Sequence, residues 1–200
     1  MEREFKWSIA DPADFERITA SDTVAPLIQS EGQTEMEAIY YDTFDGQLAK
    51  ARGGLRLRRE DGESVVCLKL SPQESFDGAF KAREEYECYA PDVRSGMLNL
   101  PSLGAPEEFC DNILQSDLVE LGRTIFTRRT CQLAYQDCTC ELAFDTGKIT
   151  HRGRVAPLCE LELELKDGSV EDFSRLALAL QEEFSLKPQP LSKLVRLLRL

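Results

Sequence analysis

Histidine and tryptophan are nearly absent from this sequence, which contains one residue of each type, His151 and Trp7. The seven cysteines form no C-x-x-C pair. With a single histidine and no paired cysteines, the chain lacks the ligand spacing of a zinc site. An odd number of cysteines without such a motif fits reduced thiols, so the sequence predicts a cytoplasmic protein.

Long apolar runs are missing as well. No segment approaches the roughly 20 consecutive apolar residues of a membrane-spanning helix. The N-terminus is charged and lacks the basic start and apolar middle of a signal peptide. These absences predict a protein that has no membrane segment.

Positive charge is in the minority in this chain. It has 24 Lys and Arg residues against 36 Asp and Glu residues, which gives a net charge of −12. Nucleic acids and anionic membranes bind basic surfaces, so this balance argues against both as partners. The balance is compatible with a small polyanionic ligand if the basic residues are gathered in one place.

Residues 1–200 are predicted to form a single domain, because the sequence shows no linker and no internal repeat. Capping residues and apolar spacing predict helices at residues 11–18, 26–30, 45–51, 106–121, 169–184 and 191–200. Alternation and turn residues predict strands at residues 1–9, 36–43, 55–60, 64–70, 81–89, 124–135, 139–145, 148–152 and 158–165. His151 falls in a basic turn and is predicted to lie on the surface.

The first predicted strand separates charged from apolar side chains. Successive side chains of a strand point to opposite faces, so Glu2, Glu4 and Lys6 share one face. Phe5 and Trp7 share the other face and are predicted to join a core. The charged face must then meet either solvent or an internal polar cavity. For one isolated strand, solvent is the more common answer.

The same alternation returns in later strands and changes this balance. Charged residues recur at every second position in the sets Arg56, Arg58 and Glu60; Lys81, Arg83, Glu85 and Glu87; and Glu160, Glu162 and Glu164. Glu141 and Asp145 also share one face, opposite Leu142 and Phe144. Rows of like charge destabilise a sheet unless opposite charge fills the space between them. A closed, eight-stranded antiparallel β-barrel with a charged lumen and helices packed outside would satisfy this requirement. The predicted fold is therefore an α+β tunnel.

The predicted lumen has two sectors of opposite charge. The carboxylate sector contains Glu2, Glu4, Glu162 and Glu164, and the basic sector contains Lys6, Arg56, Arg58, Lys69 and Arg83. Hard oxygen ligands without His or Cys select Mg²⁺ or Mn²⁺. A ring of Arg and Lys selects phosphate oxygens. Together the sectors describe a site for a phosphate chain bridged to a divalent metal.

These motifs resemble those of the CYTH superfamily, the triphosphate tunnel metalloenzymes, over essentially the whole chain. The segment Glu2-Arg3-Glu4-Phe5-Lys6 matches the E-x-E-x-K signature of that superfamily. The resemblance continues in order through Tyr40-Tyr41-Asp42-Thr43, Gly54-Leu55-Arg56-Leu57-Arg58, Cys67-Leu68-Lys69, Arg83-Glu84-Glu85-Tyr86, residues 159–165 and Leu191-Ser192-Lys193. The chain looks most like the bacterial inorganic triphosphatase branch, without the helical phosphate-binding domain often fused behind it.

The resemblance implies a role for each matched residue. The metal ligands would be Glu2 and Glu4 with one or both of Glu162 and Glu164. Asp145 and Glu85 would be additional lumen carboxylates, and Asp145 is a further candidate metal ligand. Lys6 would lie near the attacked phosphorus, and Lys6 and Glu4 would be the catalytic residues. The phosphate-binding residues would be Lys6, Arg56, Arg58, Lys69, Arg83, Arg128 and Lys193.

Several positions stay open at this point. Arg128 competes with Arg129 for the inner face, because a one-residue slip reverses a strand, and Arg128 is preferred. Close relatives often carry a second basic residue where this chain has Thr130, which weakens one phosphate contact. Arg196 is followed by leucine where glycine is usual, so its role as a ligand is open. Glu160 either lines the tunnel mouth or faces solvent.

The predicted activity is metal-dependent hydrolysis of a triphosphate chain, with inorganic tripolyphosphate cleaved to pyrophosphate and phosphate as the favoured reaction. Two enzyme alternatives belong to the same superfamily, a class IV-type adenylate cyclase and a thiamine triphosphatase. A non-catalytic polyphosphate or nucleotide sensor is the third alternative, but it would not need the carboxylates. Few aromatic residues, namely Tyr41, Tyr89 and Phe126, are expected to reach the lumen, which disfavours a nucleoside. The sequence does not determine the oligomeric state, and a homodimer is one possibility.

Overall fold

The computed structural model describes residues 2–70 and 80–200, and the side chains of Glu2 and of residues 80–83 lie outside the described part. The strands are β1 (Glu2–Ser8), β2 (Ile28–Thr43), β3 (Gly53–Glu60), β4 (Glu63–Leu70), β5 (Phe80–Tyr89), β6 (Leu118–Tyr135), β7 (Cys138–His151), β8 (Arg154–Gly168) and β9 (Lys187–Pro188). The helices are α1 (Asp14–Thr19), α2 (Gln47–Lys50), α3 (Val93–Asn99), α4 (Glu107–Leu114), α5 (Val170–Glu183) and α6 (Lys193–Leu198), with 3₁₀ turns at Ala25–Leu27 and Leu100–Leu103.

The strands form one antiparallel sheet in the order β5-β4-β3-β2-β6-β7-β8-β1-β9. This arrangement confirms the predicted antiparallel α+β class. The two ends of the order approach each other, because β1 also pairs with β5 from Glu2 to Phe5, opposite Arg83 to Phe80. This contact spans four positions. The continuous closure predicted from the sequence is thus not shown, because β1 is only seven residues long and pairs with β9 at Trp7 and Ser8 on the edge that meets β5.

Two apolar clusters cover the outer face of the sheet. The first joins α1 and α5 to β1, β6, β7 and β8 around the buried rings of Trp7, Phe144 and Phe173. The indole Nε1 of Trp7 donates a hydrogen bond to Oε1 of Gln181 at 2.8 Å. The alternation that buries Trp7 on this side turns its neighbours Lys6 and Ser8 to the inner face. The predicted core role of Trp7 is therefore confirmed.

The second outer cluster packs α3 and α4 against β3, β4 and β5. Its buried members include Leu55, Leu68, Met97 and Ile113. Leu55 directly precedes Arg56 in β3, so burial of the leucine again points the arginine inward. Among the described helices, none has the length and apolar character needed to cross a membrane.

Several predicted boundaries were wrong for identifiable reasons. The helix predicted at 106–121 ends at Leu114, and Leu118 already begins β6. The helix α3 was missed, although Asp92 caps it by accepting a hydrogen bond from the backbone N–H of Ser95. The strands predicted at 139–145 and 148–152 are one strand, β7, which passes through Gly147. A Cβ at Gly147 would lie 2.2 Å from the carbonyl oxygen of Ile125, so this glycine permits close backbone approach rather than a turn.

His151 does not lie on the surface as predicted. It ends β7, where its side chain is buried and its Nδ1 lies 2.6 Å from the carbonyl oxygen of Leu121. Neighbouring basic residues suggested exposure, but the ring is buried and contacts the backbone of the adjacent strand β6.

The contact of α3 with the sheet depends on a glycine. A Cβ at Gly96 would lie 2.4 Å from the side chain of Val66 on β4. We expect Gly96→Ala to lower the free energy of unfolding by about 1–3 kcal/mol, because overpacking outweighs the better helix propensity of alanine. Urea denaturation measures this change. Leu98→Ala on the exposed side of α3 is the control and should change stability by less than about 0.5 kcal/mol. Equal stability of the two variants would contradict the close contact between Gly96 and Val66.

Candidate functional site

The pairing register brings the charged side chains of β1 and β8 to the same face. Glu4 lies directly opposite Glu164, and Lys6 lies directly opposite Glu162. Residues directly opposite in an antiparallel pair project to the same side of the sheet. The alternation predicted from the sequence therefore holds for both strands.

The same inner face continues around the sheet. Asp145 of β7 is opposite Glu160 of β8 and opposite Arg128 of β6. On β3 and β4, the inner positions pair Arg56 with Cys67 and Gly54 with Lys69. On β4 and β5, they pair Cys67 with Glu87 and Lys69 with Glu85. Strands far apart in sequence thus present charge to a common interior.

This interior is a cavity of about 750 Å³. Its charged lining includes Glu4, Lys6, Arg56, Arg58, Glu60, Lys69, Glu85, Glu87, Arg128, Glu141, Glu162, Glu164, Lys166 and Lys193. Every predicted site residue with a described side chain is in this lining except Asp145. Glu2 and Arg83 face each other in the backbone register of β1 and β5, but their side chains lie outside the described residues.

The basic side of the cavity is formed by β3 and β4. The guanidinium of Arg58 contacts Glu87 at 3.3 Å and Glu60 at 3.1 Å, and the ammonium of Lys69 contacts Glu85 at 2.9 Å. Arg56 lies 3.5 Å from Glu87. Burial would raise the pKa of Glu87, but the charges of Arg58 and Arg56 outweigh burial and lower this pKa. Each inward cation of this side therefore has a carboxylate neighbour.

These ion pairs leave hydrogen-bond donors unused. Within the described part of the chain, the buried Nε–H groups of Arg56 and Arg58 have no hydrogen-bond partner. A buried donor without an acceptor costs free energy, about 1–3 kcal/mol. Both guanidinium groups line the cavity, so an anion entering it could accept these hydrogen bonds.

The cavity also has a carboxylate side. Glu4 of β1 is opposite Glu164 of β8, and Glu164 is opposite Glu141 of β7. Glu4 is 7 % exposed, and no hydrogen bond or ion pair to it is found among the described residues. Glu164 and Glu141 both contact the ammonium of Lys166, at 2.8 Å and 3.5 Å. Lys166 was missed in the sequence, although it continues the alternation of Glu160, Glu162 and Glu164.

A buried ion cluster lies between the two sides. Lys193 at the start of α6 places its Nζ 2.7 Å from Asp145 and 3.0 Å from Glu162, and it also contacts Glu160. Arg128 binds both oxygens of Asp145, at 2.7 Å and 2.8 Å, and binds Glu162 at 2.7 Å. Side chains of three strands, β6, β7 and β8, are therefore linked to α6 by ion pairs.

The members of this ion cluster have shifted pKa values. Burial raises the pKa of Glu160, whose side chain is 0 % exposed. Burial would also raise the pKa of Glu162, but Lys193 and Arg128 hold this pKa well below its usual value. Burial likewise opposes the charge of Lys193, yet Asp145 and Glu160 raise its pKa well above the ordinary value. Within the cluster, Glu162 is therefore compensated by Lys193 and Arg128.

The residues left open in the sequence now have positions. Arg128 points inward, while the outward Arg129 pairs with Glu16 and stacks over Phe15, with 4.5 Å between guanidinium carbon and ring centroid. Glu160 is buried rather than solvent-facing. Arg196 bonds Glu160 at 2.6 Å and is not among the cavity-lining residues.

Aromatic residues contribute little open surface to the cavity. Phe126 lines it, but the ammonium of Lys193 and the guanidinium of Arg128 lie 5.3 Å and 5.9 Å from its ring centroid. Tyr41 also lines the cavity, as expected. Tyr89 was wrongly expected there, because it ends β5 and is 71 % exposed. Tyr40 was missed, and its position opposite Arg56 in the β2–β3 register identifies it as an inner residue.

Two groups of side chains in the described part of the chain have ligand atoms close enough to hold a metal ion. One group is Asp145, Glu160 and Glu162, and the other is Cys67, Glu85 and Glu87. In the first group, Lys193 and Arg128 already compensate the charge of the carboxylates. In the second group, burial raises the pKa of the Cys67 thiol far above its ordinary value, which disfavours the thiolate needed for coordination.

The fold and the charged interior agree with one protein family. The CYTH domain family matches residues 1–198, so the chain belongs to this family.

Similar proteins include an inorganic triphosphatase of Haemophilus influenzae, which is 33 % identical over 133 residues. That match covers 66 % of this chain and 36 % of the relative, so the chain spans about a third of that protein's length. Among solved structures, a Hippeastrum protein described as an adenylyl cyclase candidate with a dominant triphosphatase activity superposes with a TM-score of 0.64. It is 21 % identical, and the match covers 100 % of this chain and 95 % of that one.

A protein from Pyrococcus horikoshii has the same fold, with a TM-score of 0.61 and 20 % identity. This match covers 100 % of the present chain and 99 % of the other. At this level of identity, the two solved structures establish the fold alone.

The ion cluster generates a stability prediction. Lys193→Met removes the cation shared by Asp145, Glu160 and Glu162, whose side chains are at most 12 % exposed. We expect the free energy of unfolding to fall by about 3–5 kcal/mol, because the carboxylates lose a buried partner. Denaturation in urea at pH 7 measures the loss. Lys187→Met, at an exposed position of β9, should have little effect; wild-type stability of Lys193→Met would rule out this role.

Proposed function

We propose that the protein is a divalent-metal-dependent triphosphatase that cleaves inorganic tripolyphosphate to pyrophosphate and phosphate inside the charged cavity of its sheet. The observation that carries this proposal is the division of one cavity into two sides of opposite character. One side carries Arg56 and Arg58 with unused buried donors, and the other carries the buried carboxylate of Glu4 without a cation partner among the described residues. A polyanion bridged to a divalent cation satisfies both sides at once.

The cations of the cavity would bind the phosphate chain. Arg56, Arg58 and Lys69 line one wall, and Arg128 lines the neighbouring one. Their present carboxylate partners, such as Glu85 and Glu87, hold the cationic side chains in place, and phosphate oxygens would take up the donors left unused. The family resemblance adds Arg83, whose backbone position faces Glu2. Reactions of phosphoanhydrides depend mainly on such positioning and charge neutralisation.

Lys6 is proposed to stabilise charge at the attacked phosphorus. It is buried on the inner face, and its ammonium lies 3.9 Å from Glu162. Because this contact is longer than a hydrogen bond, the ammonium retains donors for phosphate oxygens. Its neighbour Glu4 lies two residues away on the same face, which would place phosphate and metal-binding groups side by side.

The carboxylate side fits a hard divalent cation. Glu4 and Glu164 offer oxygen ligands on directly opposed strands, and Glu162 and Glu2 extend the set by position in the register. Carboxylate oxygens without histidine favour Mg²⁺ or Mn²⁺. When bound, such an ion neutralises phosphate oxygens and makes a nearby water more acidic. Among the described residues the buried carboxylate of Glu4 has no ion-pair partner, which agrees with this assignment.

Asp145 and Lys193 receive altered roles in this proposal. Both oxygens of Asp145 are bonded to Arg128, and Lys193 contacts one of them, behind the cavity wall. We therefore assign Asp145 to the positioning of these cations rather than to the metal. Lys193 reaches the cavity but already contacts three carboxylates, so its main role would be to hold α6 over the site.

A predicted cytoplasmic location agrees with the state of the cysteines, all seven of which are free thiols.

An adenylate cyclase or a thiamine triphosphatase would require recognition of an organic group. The one aromatic ring on the cavity's ionic wall, Phe126, is covered by two cations in the described structure. This arrangement favours an inorganic chain over a nucleotide.

The first test concerns the carboxylate side. Glu4→Gln keeps the size of the side chain but removes its charge, and we expect turnover of tripolyphosphate to fall by at least ~100-fold. Activity of the unmodified protein should also disappear in excess chelator and return with Mg²⁺ or Mn²⁺. Release of phosphate measures both effects.

The control for this test is Glu31→Gln, because Glu31 is an exposed carboxylate of β2 outside the cavity lining. It should leave turnover unchanged. Full activity in the presence of chelator would exclude the metal-dependent triphosphatase. Tight binding of polyphosphate without any turnover would favour the sensor.

The second test concerns the substrate. Among the described aromatic residues that line the cavity, Phe126 is covered by cations and Tyr40 is buried, which leaves Tyr41 alone to contact a base. Adenosine should therefore add little binding energy, and its bulk restricts entry of the triphosphate. We expect kcat/KM for tripolyphosphate to exceed that for ATP by at least ~10-fold, or about 1.4 kcal/mol in transition-state binding. Thiamine triphosphate should rank below tripolyphosphate as well. Equal use of ATP, or formation of cyclic AMP, would support the cyclase instead.

A further inference from the structure

Lys166 lies at the edge of the proposed metal site. It follows Glu164 by two positions in β8, so both side chains project to the inner face. Its Nζ lies 2.8 Å from Oε2 of Glu164 and 3.5 Å from Oε1 of Glu141. Burial would lower the pKa of Lys166, but the hydrogen bond and charge of Glu164, followed by those of Glu141, raise it. The ammonium therefore bridges two carboxylates of the cavity.

Glu4 of β1 and Glu164 of β8 have different surroundings. Glu4 and Glu164 are directly opposite each other, yet only Glu164 contacts Lys166. Glu141 is opposite Glu164 on the other side, and its second oxygen accepts a hydrogen bond from Gln132 at 2.6 Å. Three carboxylates in one row repel one another unless a cation lies among them. Lys166 supplies a cation to this row.

From this geometry we propose that Lys166 is a built-in competitor of the divalent metal. In the metal-free protein its ammonium neutralises Glu164, and on metal binding it shifts to Glu141, which is held in place by Gln132. Lys166 thereby lowers the affinity of the site for Mg²⁺ and Mn²⁺. The inference rests on the proposed function, because it takes Glu164 as a metal ligand.

The exposure of this ion pair suits such an exchange. The side chain of Lys166 is 39 % exposed and that of Glu164 is 30 % exposed. Ion pairs in contact with water are weak, so a divalent cation can displace the ammonium. The long, flexible lysine side chain can then reach Glu141 without a change in the backbone. The fully buried contacts of Lys193 offer no comparable freedom.

Calorimetric titration of the whole chain with Mn²⁺, without substrate, tests the proposal independently of activity. We expect Lys166→Met to bind Mn²⁺ about tenfold more tightly than the unmodified protein, because one competing charge is removed. Lys148→Met is the matched control, since Lys148 is an exposed lysine of β7 outside the cavity lining. It should leave the Kd for Mn²⁺ unchanged. Unchanged or weaker binding by Lys166→Met would overturn the proposal.

A double-mutant cycle tests the role of Glu141. If Glu141 receives the displaced ammonium, Glu141→Gln should weaken Mn²⁺ binding by about tenfold in the unmodified background. In the Lys166→Met background, the same change should weaken binding by less than about threefold. Equal effects in both backgrounds would show that Glu141 acts without Lys166, and would overturn the exchange.

A separate variant distinguishes failure of this inference from failure of the proposed function. Glu164→Gln should abolish Mn²⁺ binding with either residue at position 166. If Glu164→Gln binds Mn²⁺ normally, the metal assignment itself is wrong and the inference falls with it. If Glu164→Gln loses binding while Lys166→Met behaves like the unmodified protein, the metal site stands and only the competitor role is refuted.

Discussion

Compensation of charge inside the sheet is the constraint on which this structure depends. Carboxylates and cations lie on the same inner face of neighbouring strands, where like charges in a row would repel. Glu162 illustrates the solution, because it contacts both Arg128 and Lys193. Burial of Glu162, Arg128 and Lys193 is tolerated because each of these charges has a partner, and removal of one leaves the others uncompensated.

The apolar outer face provides the free energy that keeps this charged interior together. Trp7, Phe144 and Phe173 form one cluster with α1 and α5, and Leu55 and Leu68 belong to another beneath α3 and α4. Because strand side chains alternate, every outward apolar residue determines the inward direction of its neighbours. Core packing and site geometry are thus two consequences of the same register.

The helix α6 connects the ionic and apolar parts. Lys193 at its first position enters the buried ion cluster, while Leu197 in the next turn packs with Met36 and Phe126. Arg196 adds a bond to the buried Glu160. The end of the chain is consequently held against the cavity by both charge and apolar contact, which explains why residues near the C-terminus line a site begun by β1.

The alternation of charged and apolar residues was enough to predict which side chains face inward. Glu4, Lys6, Arg56, Arg58, Lys69, Glu162 and Glu164 all line the cavity as expected. This succeeded because the period of two in a strand is local and does not depend on the neighbouring strands. The order of family motifs along the chain, from Glu2-Arg3-Glu4-Phe5-Lys6 to Leu191-Ser192-Lys193, likewise pointed to the CYTH family.

Only the tertiary structure decided which charges meet. Asp145, Glu160 and Lys193 come from two strands and a helix, and their contacts depend on strand register and helix docking. The choice of Arg128 over Arg129 was also open, because a shift by one residue exchanges the faces of a strand. Lys166 and Glu141 lie far apart in sequence and meet only through the pairing of β7 with β8. Local sequence determined the facing of each side chain, while long-range pairing determined its partner, because a side chain's direction is a property of one strand and an ion pair is a property of two.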